Sequence, residues 1–285
     1  MAPARGLHRL AVLLLTLALV AGGVYAAVFF LQRSETLVSE RCSAAAGGRT
    51  AELAPDQAVH AALITAVAVQ RGLPPRAASI ALATAMQESK LRNIGHGDQA
   101  GPDSRGLFQQ RPSQGWGTEA QVMDPFYATN AFYDALIKIP GYESLDITDA
   151  AQQVQRSAYP TAYARHADMG RSFASGLSGQ TPAAVQCTLR APEAAGDPAA
   201  VSLKLSQAYG QLGTSVEGET LVVDADGELA WSVAQWAVAN AKELAVTQVD
   251  VGGRTWSRAS RDGWQDSQAA HGEFRITVFP SLGGS

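Results

Sequence analysis

Residues 76–91 read RAASIALATAMQESKL, and residues 103–112 read DSRGLFQQRP. The first segment follows Pro74-Pro75, which open a helix because proline in the first turn needs no N–H partner and brings a preset φ. On a helical wheel Ala77, Ala81, Thr84 and Ala85 share a face with Glu88. A stripe of small side chains lets a second element pack closely, so a carboxylate at its end is partly desolvated. Desolvation disfavours the charged form and raises the pKa, which suits a general acid working near neutral pH. A lone Glu without such neighbours is a solvated helix-end residue. The stripe alone leaves both readings of Glu88 open, a solvated helix-end residue and a general acid, and the neighbouring motifs decide between them.

Outward from this helix, residues 55–180 read as mainly helical. Asp56 follows Pro55 as an expected N-cap, and QAVHAALITAVAVQRG runs to Gly72 as a helix stop. Asp124-Pro125 is a cap with proline at the first helical position, opening FYATNAFYDALIKI. Thr148 is expected to cap DAAQQVQRSA, and residues 160–177 form a last helix before Gly179. Phe126, Tyr127, Phe132 and Tyr133 recur at helical spacing and read as core. Between the second and third helices lies a stretch, Asn93 to Met123, rich in Gly, Pro, Asp and Gln. A loop this long inside a compact domain is functional or disordered; Leu107, Phe108 and Trp116 argue for order.

The strings Gln87-Glu88-Ser89-Lys90-Leu91 and Asp103-Ser104-Arg105-Gly106-Leu107-Phe108-Gln109-Gln110-Arg111-Pro112 resemble motifs of soluble lytic transglycosylases and goose-type lysozymes, in the lysozyme superfamily. There a helix ends in Glu-Ser, and a following loop carries Gly-Leu-Met-Gln with a Pro three residues after the Gln. Gly106, Leu107, Gln109 and Pro112 match, and Phe108 replaces the Met. Ala158-Tyr159-Pro160-Thr161-Ala162-Tyr163 is loosely similar to the third motif, Ala-Tyr-Asn-Ala-Gly followed by a Tyr, but lacks its Asn and Gly. The wording GLFQQRPSQGWG is also similar to actinobacterial membrane-anchored wall proteins of this superfamily.

The resemblance implies a lysozyme-like domain over 55–180 that cleaves peptidoglycan glycan strands between N-acetylmuramic acid and N-acetylglucosamine. It gives Glu88 both proton transfers of a lytic transglycosylase, which yields a 1,6-anhydro sugar and needs one carboxylate. A muramidase hydrolysing the same bond normally needs two, roughly 5–9.5 Å apart. Asp98 and Asp103 are the available second carboxylates, although Gly97-Asp98 and Pro102-Asp103-Ser104 also have turn chemistry. A third reading is a catalytically inactive wall-binding or scaffold protein; an acid at Glu88 speaks against it. Substrate contacts are expected from Gln109, Gln110, Gln152 and Gln155, with Ser104 holding the loop or the acid. Tyr159 and Tyr163 would orient Glu88 or line the site. Trp116, between Gly115 and Gly117, is either a sugar-stacking face or the hydrophobic plug of its loop.

The 285 residues carry a formal net charge of −4 with 46% hydrophobic residues, an ordinary globular composition with no electrostatic footprint for nucleic acid. Leu10 to Leu31 is a 22-residue run without a charge, long enough for a transmembrane helix. Arg5, His8 and Arg9 before it put the N-terminus in the cytoplasm and the rest of a single-pass protein outside the cell membrane; a cleaved signal peptide ending near Val24-Tyr25-Ala26 is the rival reading. The expected organisation is a cytoplasmic tip and anchor over 1–32, a juxtamembrane linker over 33–54, the lysozyme-like domain, a linker over 181–198 and a small α/β domain over 199–285. The fold class is thus α+β. Outside the membrane Cys42 and Cys187, the only cysteines, are expected to form a disulfide tying the two ends of the middle domain.

In the last segment, strands are expected over 220–223, 246–251 and 273–279, with a helix over 228–244. Four of the five tryptophans, Trp231, Trp236, Trp256 and Trp264, fall here and read as its core. The segment weakly resembles a C-terminal wall-protein domain related to zinc peptidases. Arg275 stands where a ligand His belongs, so no metal is expected and no cofactor is required. A non-catalytic role follows, in binding the wall or a cell-wall protein partner, with residues 199–285 dispensable for cleavage.

Overall fold

The computed structural model describes residues 13–25, 38–99, 101–156, 161–267 and 273–281. The chain divides into two units, Met1–Ser39 and Glu40–Ser285. In the first, residues 13–25 are helical with exposed side chains. Among the described residues no helix is long and apolar enough to cross a membrane. That corrects the expected transmembrane anchor and, with it, the single-pass membrane placement; residues 10–12 and 26–31 of the apolar run lie outside the described residues.

A second correction concerns fold class. The chain is 45% helical and 19% strand, and the expectation of a mainly helical main domain fails at both of its ends. Residues assigned to a linker form β1 (Arg41–Ala46) and β2 (Arg49–Leu53), and β3 (Val185–Thr188) completes a three-stranded sheet in the order β2-β1-β3. The cause is local. Gly47 and Gly48 both take positive φ, 57° and 72°, between the paired residues Ala46 and Arg49. A two-residue turn of that kind matches the twist of a hairpin. Alternation then buries Cys42 and Ala44.

The disulfide is present: Cys42 and Cys187 face each other across the β1–β3 pair, 145 residues apart in sequence. On the chain-entropy account, closing a loop of that length stabilises by about 5 kcal/mol. Reduction, or the Cys42→Ala/Cys187→Ala pair, is expected to lower the denaturation midpoint by an amount approaching that figure. Equal melting curves with and without reductant would contradict it.

The helical layer comprises α1 (Pro55–Gln70), α2 (Pro75–Ser89), α3 (Glu119–Met123), α4 (Pro125–Leu136), α5 (Ile147–Gln155) and α6 (Ala167–Leu177). α1 starts from Ala54, whose N–H donates to Gln57 Oε1 at 2.9 Å, and Asp56 instead meets Arg92 Nε at 2.6 Å. Asp124 caps α4 by accepting from the N–H groups of Phe126 and Tyr127. α5 begins two residues before its expected start, with Asp146 as N-cap. α6 packs closely on α2 along Ser79 and Ala83. A Cβ on Gly170 would stand 2.5 Å from the Ser79 carbonyl oxygen, so the two backbones approach as closely as glycine permits.

The second sheet has six antiparallel strands in the order β4-β5-β9-β6-β7-β8: β4 (Gly213–Glu217), β5 (Thr220–Asp224), β6 (Val246–Val251), β7 (Arg254–Ser257), β8 (Trp264–Asp266) and β9 (Phe274–Val278). α7 (Pro198–Tyr209) and α8 (Gly227–Ala239) accompany it, and Trp236, Trp256 and Trp264 are buried. α8 also packs against α1, α6 and β3. Its fully buried Gln235 donates to the carbonyls of Gly176 (2.6 Å) and Thr181 (3.1 Å) and accepts from Val185 N–H (2.7 Å). Ser232 Oγ donates to Leu177 O at 2.6 Å, and Trp264 Nε1 to Val185 O at 2.8 Å. Backbone groups left over by α6 and β3 are therefore completed by side chains from the C-terminal third.

Candidate active site around Glu88

α2 ends abruptly. Lys90 and Leu91 both adopt left-handed backbone, φ 56° and 53°, and Leu91 N–H returns to Ala85 O at 3.0 Å. Glu88 and Ser89 thus occupy the last turn of an otherwise buried helix. The Ser89 hydroxyl donates to Leu107 O at 2.7 Å, tying the helix end to the long loop. Within that loop Arg105 and Gln110 exchange backbone hydrogen bonds, both 3.0 Å, around a tight reversal. Gly106 has φ 76°, and a Cβ there would stand 2.1 Å from Val122 O, so the motif glycine is required by space as well as by torsion. Leu107 and Phe108 are fully buried, and Phe108 stacks on Phe132 with ring centroids 4.6 Å apart.

Three groups converge on the half-buried Glu88. Tyr163, itself fully buried, donates its hydroxyl to Oε1 at 2.7 Å. The Gln155 amide, at the end of α5, also hydrogen-bonds the carboxylate, and its Nε2 donates to Phe108 O at 2.8 Å. Asp98 contributes negative charge. Burial is the largest influence and raises the pKa of Glu88; the bonds from Tyr163 and Gln155 oppose it, the charge of Asp98 reinforces it, and the balance stays above the ordinary value. The result is an acid that keeps its proton to higher pH than a free glutamate and has one oxygen oriented by a fixed donor.

The other expected site residues divide sharply. Tyr163 and Gln155 reach Glu88, as orienting groups. Gln110 is buried and spends its amide N–H on Ala128 O at 3.0 Å, which makes it an anchor of the loop. Gln109 turns back on its own loop, Nε2 to Gly106 O at 3.3 Å. Ser104 is buried against Gly101, to whose carbonyl its N–H donates at 2.9 Å. Trp116 is half-buried and packed against the core. Gln152 is half-buried one turn before Gln155 on α5. Tyr159 lies outside the described residues.

Asp103 accepts from Arg111 Nε at 2.8 Å and Ser113 N–H at 3.0 Å, which holds its carboxyl well below the usual range. Asp98 Oδ1 accepts from Gly101 N–H at 2.8 Å, closing a turn. Arg165 and His166, which no sequence motif marks, meet the side chain of Gln87, the residue before Glu88 on α2.

Among the described residues no group of three or more His, Cys, Asp or Glu side chains could hold a metal ion; His271 lies outside them. Two surface clefts, of about 370 and 380 Å³, flank β4, the first against α7 and the second over β5 and β9, and neither is lined by Glu88. No protein-family model and no curated protein matches the chain.

Tyr163→Phe removes a donor that favours the ionised acid, so the pKa of Glu88 is expected to climb further. For a reaction limited by protonated Glu88 the alkaline limb of the rate profile moves to higher pH, while loss of orientation lowers the plateau rate. An alkaline limb that stays put, or moves down, would contradict the bond's role.

Proposed function

We propose that this protein cleaves the glycan strands of peptidoglycan as a lytic transglycosylase, with Glu88 as the single acid and base. The observation that carries the reading is the setting of Glu88: an acid with raised pKa, oriented by Tyr163 and Gln155, on a helix end tied through Ser89 to the Gly-Leu-Phe-Gln loop. The motif resemblance supplies the substrate, and the geometry supplies an acid suited to it.

The chemistry balances with one carboxyl group. Protonated Glu88 gives its proton to the glycosidic oxygen as the bond from that oxygen to the muramoyl C1 breaks, and the acetamido oxygen of the same sugar closes onto C1. The Glu88 carboxylate then takes the proton of the muramoyl 6-hydroxyl as that oxygen attacks C1 and displaces the acetamido oxygen. A 1,6-anhydro end forms and Glu88 is protonated again. Asp103 is committed to Arg111 and Ser113, which leaves it poorly suited to activate a water.

The second reading is a muramidase, and one observation favours it: the charge of Asp98 reaches Glu88, so a second carboxylate is at hand. Digestion of purified peptidoglycan with the full chain, read by mass spectrometry of the soluble fragments, tests both. Anhydro-muramoyl ends are expected. Reducing ends would replace the first reading by the second, and absence of any fragment would leave an inactive wall-binding protein.

A further inference from the structure

Arg165 lies in the 3-10 turn of Ala164–His166, which leads into α6, two residues after the Tyr163 that orients Glu88. Its side chain is exposed yet fixed. Nη2 donates to Gln87 Oε1 at 2.7 Å, and Nε donates to His166 Nε2 at 3.2 Å, while that same imidazole nitrogen lies 3.2 Å from Gln87 Oε1. Burial lowers the pKa of His166, and the neighbouring guanidinium lowers it further, so the ring is a neutral acceptor rather than a second cation. Gln87 immediately precedes Glu88 on α2.

This is an unusual way to spend an arginine. Fixing so long a side chain costs conformational entropy, and the ordinary return is an ion pair. Among the described residues no carboxylate lies within ion-pair range of Arg165. The nearest acidic residue along the chain, Asp168, is engaged by Arg49 at 2.8 Å and Arg171 at 3.2 Å. The guanidinium is therefore ordered in advance by two neutral partners and keeps both its charge and Nη1 for something outside the protein. A fixed guanidinium is a recognition group for carboxylates, and ordering it before binding reduces the entropy lost on association.

We propose that Arg165, held by Gln87 and His166, is an anion subsite beside Glu88 that reads a carboxylate carried by the muramoyl residue of the substrate. The inference rests on the glycan-cleaving reading of Glu88 and deepens it by naming the strands preferred. Two sources offer that chemistry: the carboxylates of an attached peptide stem, and the lactyl carboxylate exposed once the stem is removed. A neutral oligomer of N-acetylglucosamine offers neither.

The test measures binding of three glycans to the full-length chain in a Glu88→Gln background, so that nothing turns over: stem-bearing strands, amidase-stripped strands and neutral N-acetylglucosamine oligomers. The preference for stem-bearing over neutral glycan is expected to fall about 10-fold or more in Arg165→Gln, the scale of one hydrogen bond to a charged group. Arg165→Lys, which keeps the charge and loses the fork, is expected to fall between. Arg156→Gln removes another exposed arginine with no ion pair among the described residues and should keep the full preference. If stripped strands match stem-bearing ones, the lactyl group is the anion read; if they match the neutral oligomer, the stem is. An unchanged preference in Arg165→Gln, or an equal loss in Arg156→Gln, overturns the subsite. Failure of the Glu88→Gln chain to bind any of the three glycans overturns the glycan reading itself.

Discussion

Glu88→Gln is expected to stop release of soluble fragments from peptidoglycan, by about 10²–10⁴-fold in rate, without unfolding the chain. Gln keeps the shape of the side chain and can still accept from Tyr163 at the oxygen that does so now, 2.7 Å away. What it loses is the transferable proton. Stability should move the other way. The carboxyl pKa in the folded protein is raised by burial and by Asp98, so below the unfolded-state pKa both states are protonated and the site costs nothing. As pH rises through the folded value the native state must either hold a proton the unfolded chain releases or carry a desolvated charge, and stability falls. The amide does not titrate, so the variant should melt with the wild type under acid conditions and equal or exceed it at neutral pH. Melting curves and fragment release from the same preparations check both. A folded variant with wild-type release removes Glu88 from the chemistry, and a variant less stable at neutral pH means that the acid is better solvated than its surroundings imply.

The part of this arrangement visible in the sequence is the part written in local chemistry. Pro74-Pro75, the small-residue stripe and the position of Glu88 at its end belong to one helix, and a wheel recovers them. The strand over 246–251 and the helix beginning near 228 follow from alternation and periodicity in the same way. Gln155 and Tyr163 were visible as polar residues of the right region, but their roles depend on which side of α2 the end of α5 and the following turn come to rest. Gln110 shows the limit from the other direction. Its neighbour Gln109 is the one the motif singles out, yet the left-handed backbone at Gln109 (φ 48°) turns that side chain onto its own loop and leaves Gln110 to fill the interior. The hairpin over 41–53 was written plainly as Gly47-Gly48 between two short alternating runs. It was hidden by the apolar run before it, which made a linker the natural expectation.

Truncation after residue 198 is expected to cost the protein its fold rather than only its wall contacts. The sequence suggests a removable α/β domain over 199–285, whereas Glu40–Ser285 forms one compact unit in which α8 lies against α1, α6 and β3. Cutting there uncovers those apolar faces and orphans the carbonyls of Leu177 and Thr181 together with both backbone groups of Val185. Gly179 adds a steric lock: with φ 86°, any Cβ on it would stand 1.8 Å from Glu228 O, so α6 ends in a shape made to receive α8. The single change that isolates this effect is Gln235→Ala. Val185 N–H and the Thr181 carbonyl lose their partner at once, each worth about 1–3 kcal/mol when left unsatisfied, while the Gly176 carbonyl keeps its bond from Gly179 N–H at 2.9 Å, so a loss of at least about 2 kcal/mol is expected against a total stability of about 5–15 kcal/mol. For a chain of this size that is a fall in Tm of about 4–8 °C. Glycan cleavage per folded molecule should be unchanged below the transition, because Gln235 does not touch Glu88 or its donors, and total activity should track the folded fraction as temperature rises. Urea and thermal melts of Gln235→Ala, alongside fragment release at several temperatures, separate the two quantities. A truncated chain that melts cooperatively near the full-length midpoint and still releases fragments would show that the C-terminal third is an independent domain after all.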